Sequence, residues 1–176
     1  MSKHSKCRGP VVLDTSFLIT LASKSRKHHV VAKRYFAFWI EARTPMILPA
    51  ICAAEYLAID NVIPPHILKH VVVKPFTYED AICAAQILRE GIVARVPGED
   101  GKTPNRMVFK DDVKIIGSAV ALQAAAIATE DERTMCRYIK AVSGGLSGAN
   151  GLMALSITSG FNRGLAELSS PDLGIE

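Results

Sequence analysis

The tightest constraint on the fold is a repeated alternation of short apolar runs with longer stretches of helical spacing. Residues 11–13 (Val-Val-Leu), 46–48 (Met-Ile-Leu), 71–73 (Val-Val-Val) and 125–128 (Ala-Ala-Ile-Ala) are each too short for a buried helix and read as strands. Residues 17–22, 30–43, 51–59, 81–90 and 110–123 place apolar side chains at helical intervals, and a last helix is expected over 130–142. Strands that alternate with helices are joined by crossovers. The sheet is therefore expected to be mainly parallel, with helices on both faces.

Punctuation supports this order. Thr44-Pro45 ends one helix, and Pro49 stands where the next can begin, because proline fits a first helical turn. Thr77 and Asp80 match a capping box with Asp in place of Glu. Residues 95–107 are charged and rich in Pro and Gly, and read as a loop. Residues 143–151 hold four glycines and two serines. They suggest a linker after a domain spanning 1–142, with 143–176 as a Gly-rich C-terminal extension that packs on the domain or is partly disordered.

Composition narrows the class. A chain of 176 residues normally makes one domain with a substantial core. Cys7, Cys52, Cys83 and Cys136 are scattered and form no CxxC pair, as expected for reduced thiols in a cytoplasmic protein. The basic start, Met1-Ser2-Lys3-His4-Ser5-Lys6, is not followed by the apolar region of a secretory signal, and no membrane span is expected. A net charge of +4 permits a polyanionic partner.

Four acids sit where such a fold collects function, beyond the carboxyl ends of strands. Asp14 ends the first strand and Glu55 lies in the helix after the second. Asp112 lies in the expected first turn of the helix before the fourth strand, and Asp131 follows that strand. Asp112 shares a helical stripe with Ile115, Ile116 and Ala119, so it opens an otherwise apolar face. Glu55 is similarly set among Ala, Ile, Leu and Tyr. Taken singly, each acid has a plain structural explanation: a helix cap, an ion pair or a favourable helix end. Taken together they point to a cation, because clustered carboxylates repel one another. Oxygen ligands without His or Cys nearby suit Mg²⁺ or Mn²⁺, and such a site serves phosphodiester hydrolysis. A phosphatase with a nucleophilic aspartate and a second two positions on is disfavoured, because that second position is Ser16.

These stretches resemble the motifs of PIN domains. Val11-Val12-Leu13-Asp14-Thr15-Ser16-Phe17-Leu18 is similar to the opening motif, and Leu48-Pro49-Ala50-Ile51-Cys52-Ala53-Ala54-Glu55 to the second. Lys110-Asp111-Asp112 with Ile115 and Ala119 is similar to the third, and Ala128-Thr129-Glu130-Asp131 to the fourth. The likeness runs over residues 10–140. It implies a PIN-like three-layer α/β/α fold with a mainly parallel central sheet of four or five strands. It further implies a Mg²⁺- or Mn²⁺-dependent endoribonuclease, in the style of VapC-like toxins that dimerise and are silenced by a cognate antitoxin. Carried over by position, Asp14, Glu55, Asp112 and Asp131 are the expected catalytic and metal-binding acids. Ser16, Thr129 and Asp111 are supporting residues, with helix phase favouring Asp112 over Asp111 as the third acid. A non-catalytic PIN-like RNA-binding or scaffold protein is the alternative.

For the RNA itself, Lys24, Arg26, Lys27, Lys33 and Arg34 form the densest basic stretch, beginning one short helix after Asp14. Lys102 and Arg106 lie in the loop leading to Asp112. His28 and His29 read as surface residues of the same basic loop. The helix over 30–40 and the segment 152–157 are candidates for a dimer face or an antitoxin contact, with core packing an equal explanation for the helix.

Overall fold

A computed structural model describes residues 9–93, 96, 106–149 and 151–168. Five strands form one sheet: β1 (Val11–Leu13), β2 (Met46–Pro49), β3 (Val72–Lys74), β4 (Ala126–Thr129) and β5 (Met153–Ser156). The order across the sheet is β3-β2-β1-β4-β5, and every pair is parallel. Helices α1 (Thr15–Ala22), α2 (His29–Glu41), α3 (Ala50–Ile59), α4 (Pro65–Leu68), α5 (Tyr78–Arg89), α6 (Arg106–Ala121), α7 (Met135–Gly145) and α8 (Arg163–Leu168) flank it. This is the α/β/α architecture expected, with five strands.

Burial follows position in the sheet. The central strands β1 and β4 are buried along their whole length, whereas Val72 and Val73 of the edge strand β3 are exposed. That explains why β1 and β4 read as continuous apolar runs: strands covered on both faces have no polar side to alternate. Above the sheet, Trp39 stacks on Tyr35 at 5.6 Å and meets Phe17 at 5.8 Å between ring centres.

Strand order matters most for function. From β1 the chain adds β2 and then β3 on one side, then returns to add β4 and β5 on the other. The direction of winding thus reverses between β1 and β4, and ligands of open α/β sheets bind in the crevice opened there. Asp14 leaves the end of β1 at this switch point, and Asp131 follows the end of β4.

Several boundaries differ from expectation for physical reasons. Pro49 ends β2 and is the N-cap of α3 rather than its first residue. Helix α6 begins at Arg106, inside the expected loop, so Asp112 sits nearly two turns into the helix and not in its first turn. Helix α7 starts late, because Asp131 accepts from the Thr134 and Met135 amides at 2.9 and 3.4 Å and holds a turn ahead of it. Gly144 and Gly145 finish α7, and Met153–Ser156 pairs with β4, so the expected linker begins inside a helix and leads into the sheet. Cys52, Cys83 and Cys136 are free thiols, and Cys7 lies outside the described residues. Among the described residues no helix is long and apolar enough to cross a membrane.

Candidate active site

The site is built at the paired ends of β1 and β4. Asp14 occupies the N-cap position of α1, yet its carboxylate makes no capping hydrogen bond. It is instead turned toward two hydroxyls. Ser16 Oγ donates to Asp14 Oδ2 at 2.6 Å, and Thr129 Oγ1 donates to the same oxygen at 2.8 Å. The two hydroxyl oxygens lie 3.0 Å apart, but each has one proton, so with both given to Asp14 that third contact carries no hydrogen bond. Each hydroxyl also accepts a backbone amide: Glu130 N–H to Ser16 Oγ and Asp131 N–H to Thr129 Oγ1, both at 2.9 Å. Ser16 and Thr129 therefore fix the Asp14 carboxylate and, in the same network, the backbone that carries Asp131.

Burial raises the Asp14 carboxyl above the ordinary carboxylate range. The Ser16 and Thr129 hydroxyls pull it partly back, helped by the nearby Thr15 and Ser16 amides, which face the carboxylate without capping geometry. Glu55, half-buried on α3, accepts from Thr15 Oγ1. Thr15 and Ser16, adjacent at the start of α1, thus hold one acid each.

Asp112 is the most perturbed of the four. Its Oδ2 is buried and has no hydrogen-bond partner among the described residues. Burial, then the charges of Asp14, Asp131 and Glu55, and last that of Asp111, push its carboxyl up to about 7. All three other acids therefore stand within electrostatic reach of Asp112. None of the four makes an ion pair among the described residues. Nor does any set of three or more His, Cys, Asp or Glu side chains among those residues stand close enough to hold a metal ion as it lies. The structure brings the four acids to one mouth of the fold without closing them into a cage.

The remaining expected residues fare unevenly. Asp111 pairs with Lys114 at 2.7 Å on the solvent side of α6, which leaves Asp112 as the residue facing the site. Arg26 meets Glu130 at 3.3 Å, and Glu130 also accepts from Thr20 Oγ1 at 2.6 Å, so the basic loop is tied to the end of β4. Arg34 lies over the Phe161 ring at 4.5 Å, which occupies one face of its guanidinium. Lys24, Lys27 and Lys33 are exposed. Lys102 lies outside the described residues, and of Arg106 only the backbone, at the start of α6, is described. His29 Nδ1 contacts the Thr20 carbonyl at 3.1 Å. The two expected contact segments are consumed by the core: Tyr35, Phe36 and Trp39 of α2 are buried, as are Leu152, Leu155 and Ile157 around β5.

Sequence reasoning passed over Thr15, Glu130 and Glu132. Thr15 was legible only as a possible cap. The run Thr129-Glu130-Asp131-Glu132 carried the signal for the other two: three consecutive acids after a buried strand exceed what one turn requires.

No protein-family model matches the sequence, and no curated protein matches it. Solved structures do match. VapBC2 from Rickettsia felis, bound to a DNA fragment from its promoter, superposes with a TM-score of 0.52 at 13% identity, over 83% of this chain and 97% of that one. DNA-bound VapBC from Salmonella typhimurium gives 0.51 at 18% identity, over 84% and 98%. Mycobacterium tuberculosis VapC20, a sarcin-ricin loop cleaving toxin, gives 0.48 at 14% identity, over 78% and 97%, a looser overlap. At such identities the likeness is one of architecture: this chain shares the fold of the VapBC2 and VapBC structures that it overlays.

Proposed function

We propose that this protein is a Mg²⁺- or Mn²⁺-dependent endoribonuclease, with Asp14, Glu55, Asp112 and Asp131 as its metal-binding and catalytic acids. The observation that carries the reading is the buried, unpartnered Oδ2 of Asp112, pressed by three other carboxylates that have no basic partner among the described residues. A buried acid in that state is destabilising unless it takes a proton or a cation. Hard oxygen donors with no imidazole or thiolate among them suit Mg²⁺ or Mn²⁺. When bound, such a cation supplies the charge that polarises a phosphodiester and makes water a better nucleophile.

The protein's own groups then have distinct tasks. Ser16 and Thr129 hold Asp14 in one orientation, Thr15 does the same for Glu55, and the amides of Thr134 and Met135 fix Asp131. Lys24, Lys27 and Arg26 at the rim supply positive charge for an RNA backbone. The partners this reading expects are a cognate antitoxin and a second copy of this chain. The test is cleavage of single-stranded RNA with Mg²⁺ or Mn²⁺ by the natural chain and by Asp14→Asn and Asp112→Asn. The reading predicts metal-dependent cutting that falls at least about 100-fold in each variant, on the scale of losing a group that stabilises developing charge. Equal cutting by all three proteins contradicts it.

One observation favours a second reading. Among the described residues no three of the acids stand close enough to share a metal ion as they lie, an arrangement that a PIN-like RNA-binding or scaffold protein without catalysis tolerates. That protein would bind RNA and cut none.

A further inference from the structure

The crevice between β1 and β4 leaves a second recess unused. Beside β5 lies an open pocket of about 440 Å³, within the range of small-ligand sites. Glu132, Arg137 and Lys140 supply its charge, and Ser156, Ser159 and Asn162 much of its remaining polar lining. It adjoins the acid centre. Ser156 is the register partner of Thr129. Glu132 directly follows Asp131, and the Cys136 thiol in the pocket lining feels the charges of both acids.

Glu132 is held in an unusual way. Ser156 Oγ donates to its Oε1 at 2.7 Å, Ser159 Oγ at 3.3 Å, and Thr158 Oγ1 more closely still. Among the described residues no donor reaches Oε2. One oxygen is thus saturated and the other is left open on a fixed carboxylate. The turn that carries those hydroxyls is itself anchored. Tyr35 donates to the Gly160 carbonyl at 3.3 Å and accepts from the Asn162 amide at 2.9 Å, and Phe161 packs on Tyr35 at 4.8 Å. Across the pocket, Arg137 and Lys140 stand three residues apart on one face of α7 and make no ion pair among the described residues.

The pocket therefore offers an open carboxylate oxygen as acceptor and two unpaired cations as donors. Guanine matches both. Its N1–H and N2 amino group are adjacent donors that converge on a single acceptor such as the open Oε2, and its O6 and N7 are the acceptors that Arg and Lys prefer. Adenine and cytosine offer an amino group without the neighbouring N–H. Uracil flanks its single N–H with two carbonyls, which a carboxylate repels. We propose that this pocket binds a guanine nucleotide of single-stranded RNA next to the acid centre, with Glu132 reading the N1/N2 edge and Arg137 and Lys140 holding O6, N7 or the phosphate. Exposed bases read on their Watson–Crick edges are the usual basis of sequence-specific RNA recognition. The RNA context rests on the nuclease reading, while the base preference rests on the pocket alone.

The test titrates the full chain, without divalent ions, with guanosine, inosine and adenosine 5′-monophosphates by calorimetry. The phosphate is common to all three, and inosine lacks only the N2 amino group. The natural chain is expected to bind the guanine nucleotide at least about fivefold more tightly than the other two. Glu132→Gln, at an exposed position, brings guanine down to the inosine level, and Arg137→Ala weakens all three. Equal affinities, no binding at millimolar nucleotide, or a guanine preference that survives Glu132→Gln overturns the inference. RNA cleavage without a guanine preference overturns the pocket assignment and leaves the nuclease reading standing. A Glu132-dependent preference in a chain that cuts no RNA supports the pocket and overturns the nuclease reading.

Discussion

At the residue scale, Asp112 is the most perturbed of the four acids. Its carboxyl is raised to about 7, by burial first and by the neighbouring acids second. The sign of the linkage follows. An acid whose folded pKa lies above its unfolded value adds stability below about pH 4, and that contribution is lost as pH rises through about 7. Thermal melts without divalent ions should show the natural chain losing stability over this interval relative to Asp112→Asn, which has no charge to bury. Parallel curves for the two proteins would mean that Asp112 is not strained by its surroundings. The choice of Asp112 over Asp111 was legible in the sequence, because helix phase set Asp112 with Ile115 and Ala119. Ser16 and Thr129 entered as supporting residues only through the family resemblance; local spacing could not show that they hold Asp14. Its partners, Ser16 and Thr129, are 113 residues apart in the chain and meet only because β1 and β4 pair.

At the element scale, the short strands could be read because β1 and β4 are covered on both faces and are apolar up to Thr129, the last residue of β4. The capping box at Thr77 could be read because its chemistry is local, and both of its hydrogen bonds form. Ends set by tertiary contacts were harder. The early start of α6 and the strand hidden behind a glycine-rich stretch both depend on neighbours distant in sequence. Helix α6 presents Asp112 while packing closely on α5, and Gly117 marks the closest approach. A Cβ there would lie 2.8 Å from the Cβ and backbone nitrogen of Ala84. Gly117→Ala gains about 1 kcal/mol in helix propensity but overpacks a tight crossing at a cost of about 1–3 kcal/mol. A net loss of about 1 kcal/mol is expected by urea unfolding, with activity reduced if α6 shifts. A more stable variant would show that the crossing has slack.

At the scale of the whole molecule, most exposed apolar side chains lie outside the segments the sequence suggested, Val30 at the start of α2 excepted. The apolar faces of α2 and β5 are buried, while Ile59, Val62, Val72 and Val73 are exposed around the end of α3 and the edge strand β3. An open strand edge with apolar side chains invites a second chain. If the protein pairs with itself through this edge, Val73→Lys should shift sedimentation from dimer to monomer while leaving the fold intact by circular dichroism. A dimer that persists in that variant places the interface elsewhere.

The central claim is that carboxylates from β1, α3, α6 and the turn after β4 converge on one cation. Melting the natural chain and Asp112→Asn at neutral pH, each with and without Mn²⁺, tests it most directly. A cation that binds only the folded state adds about 2.7 kcal/mol at 100 times its dissociation constant. A clear rise in melting temperature is expected for the natural chain and little or none for Asp112→Asn; no rise in either protein at millimolar Mn²⁺ contradicts a shared cation.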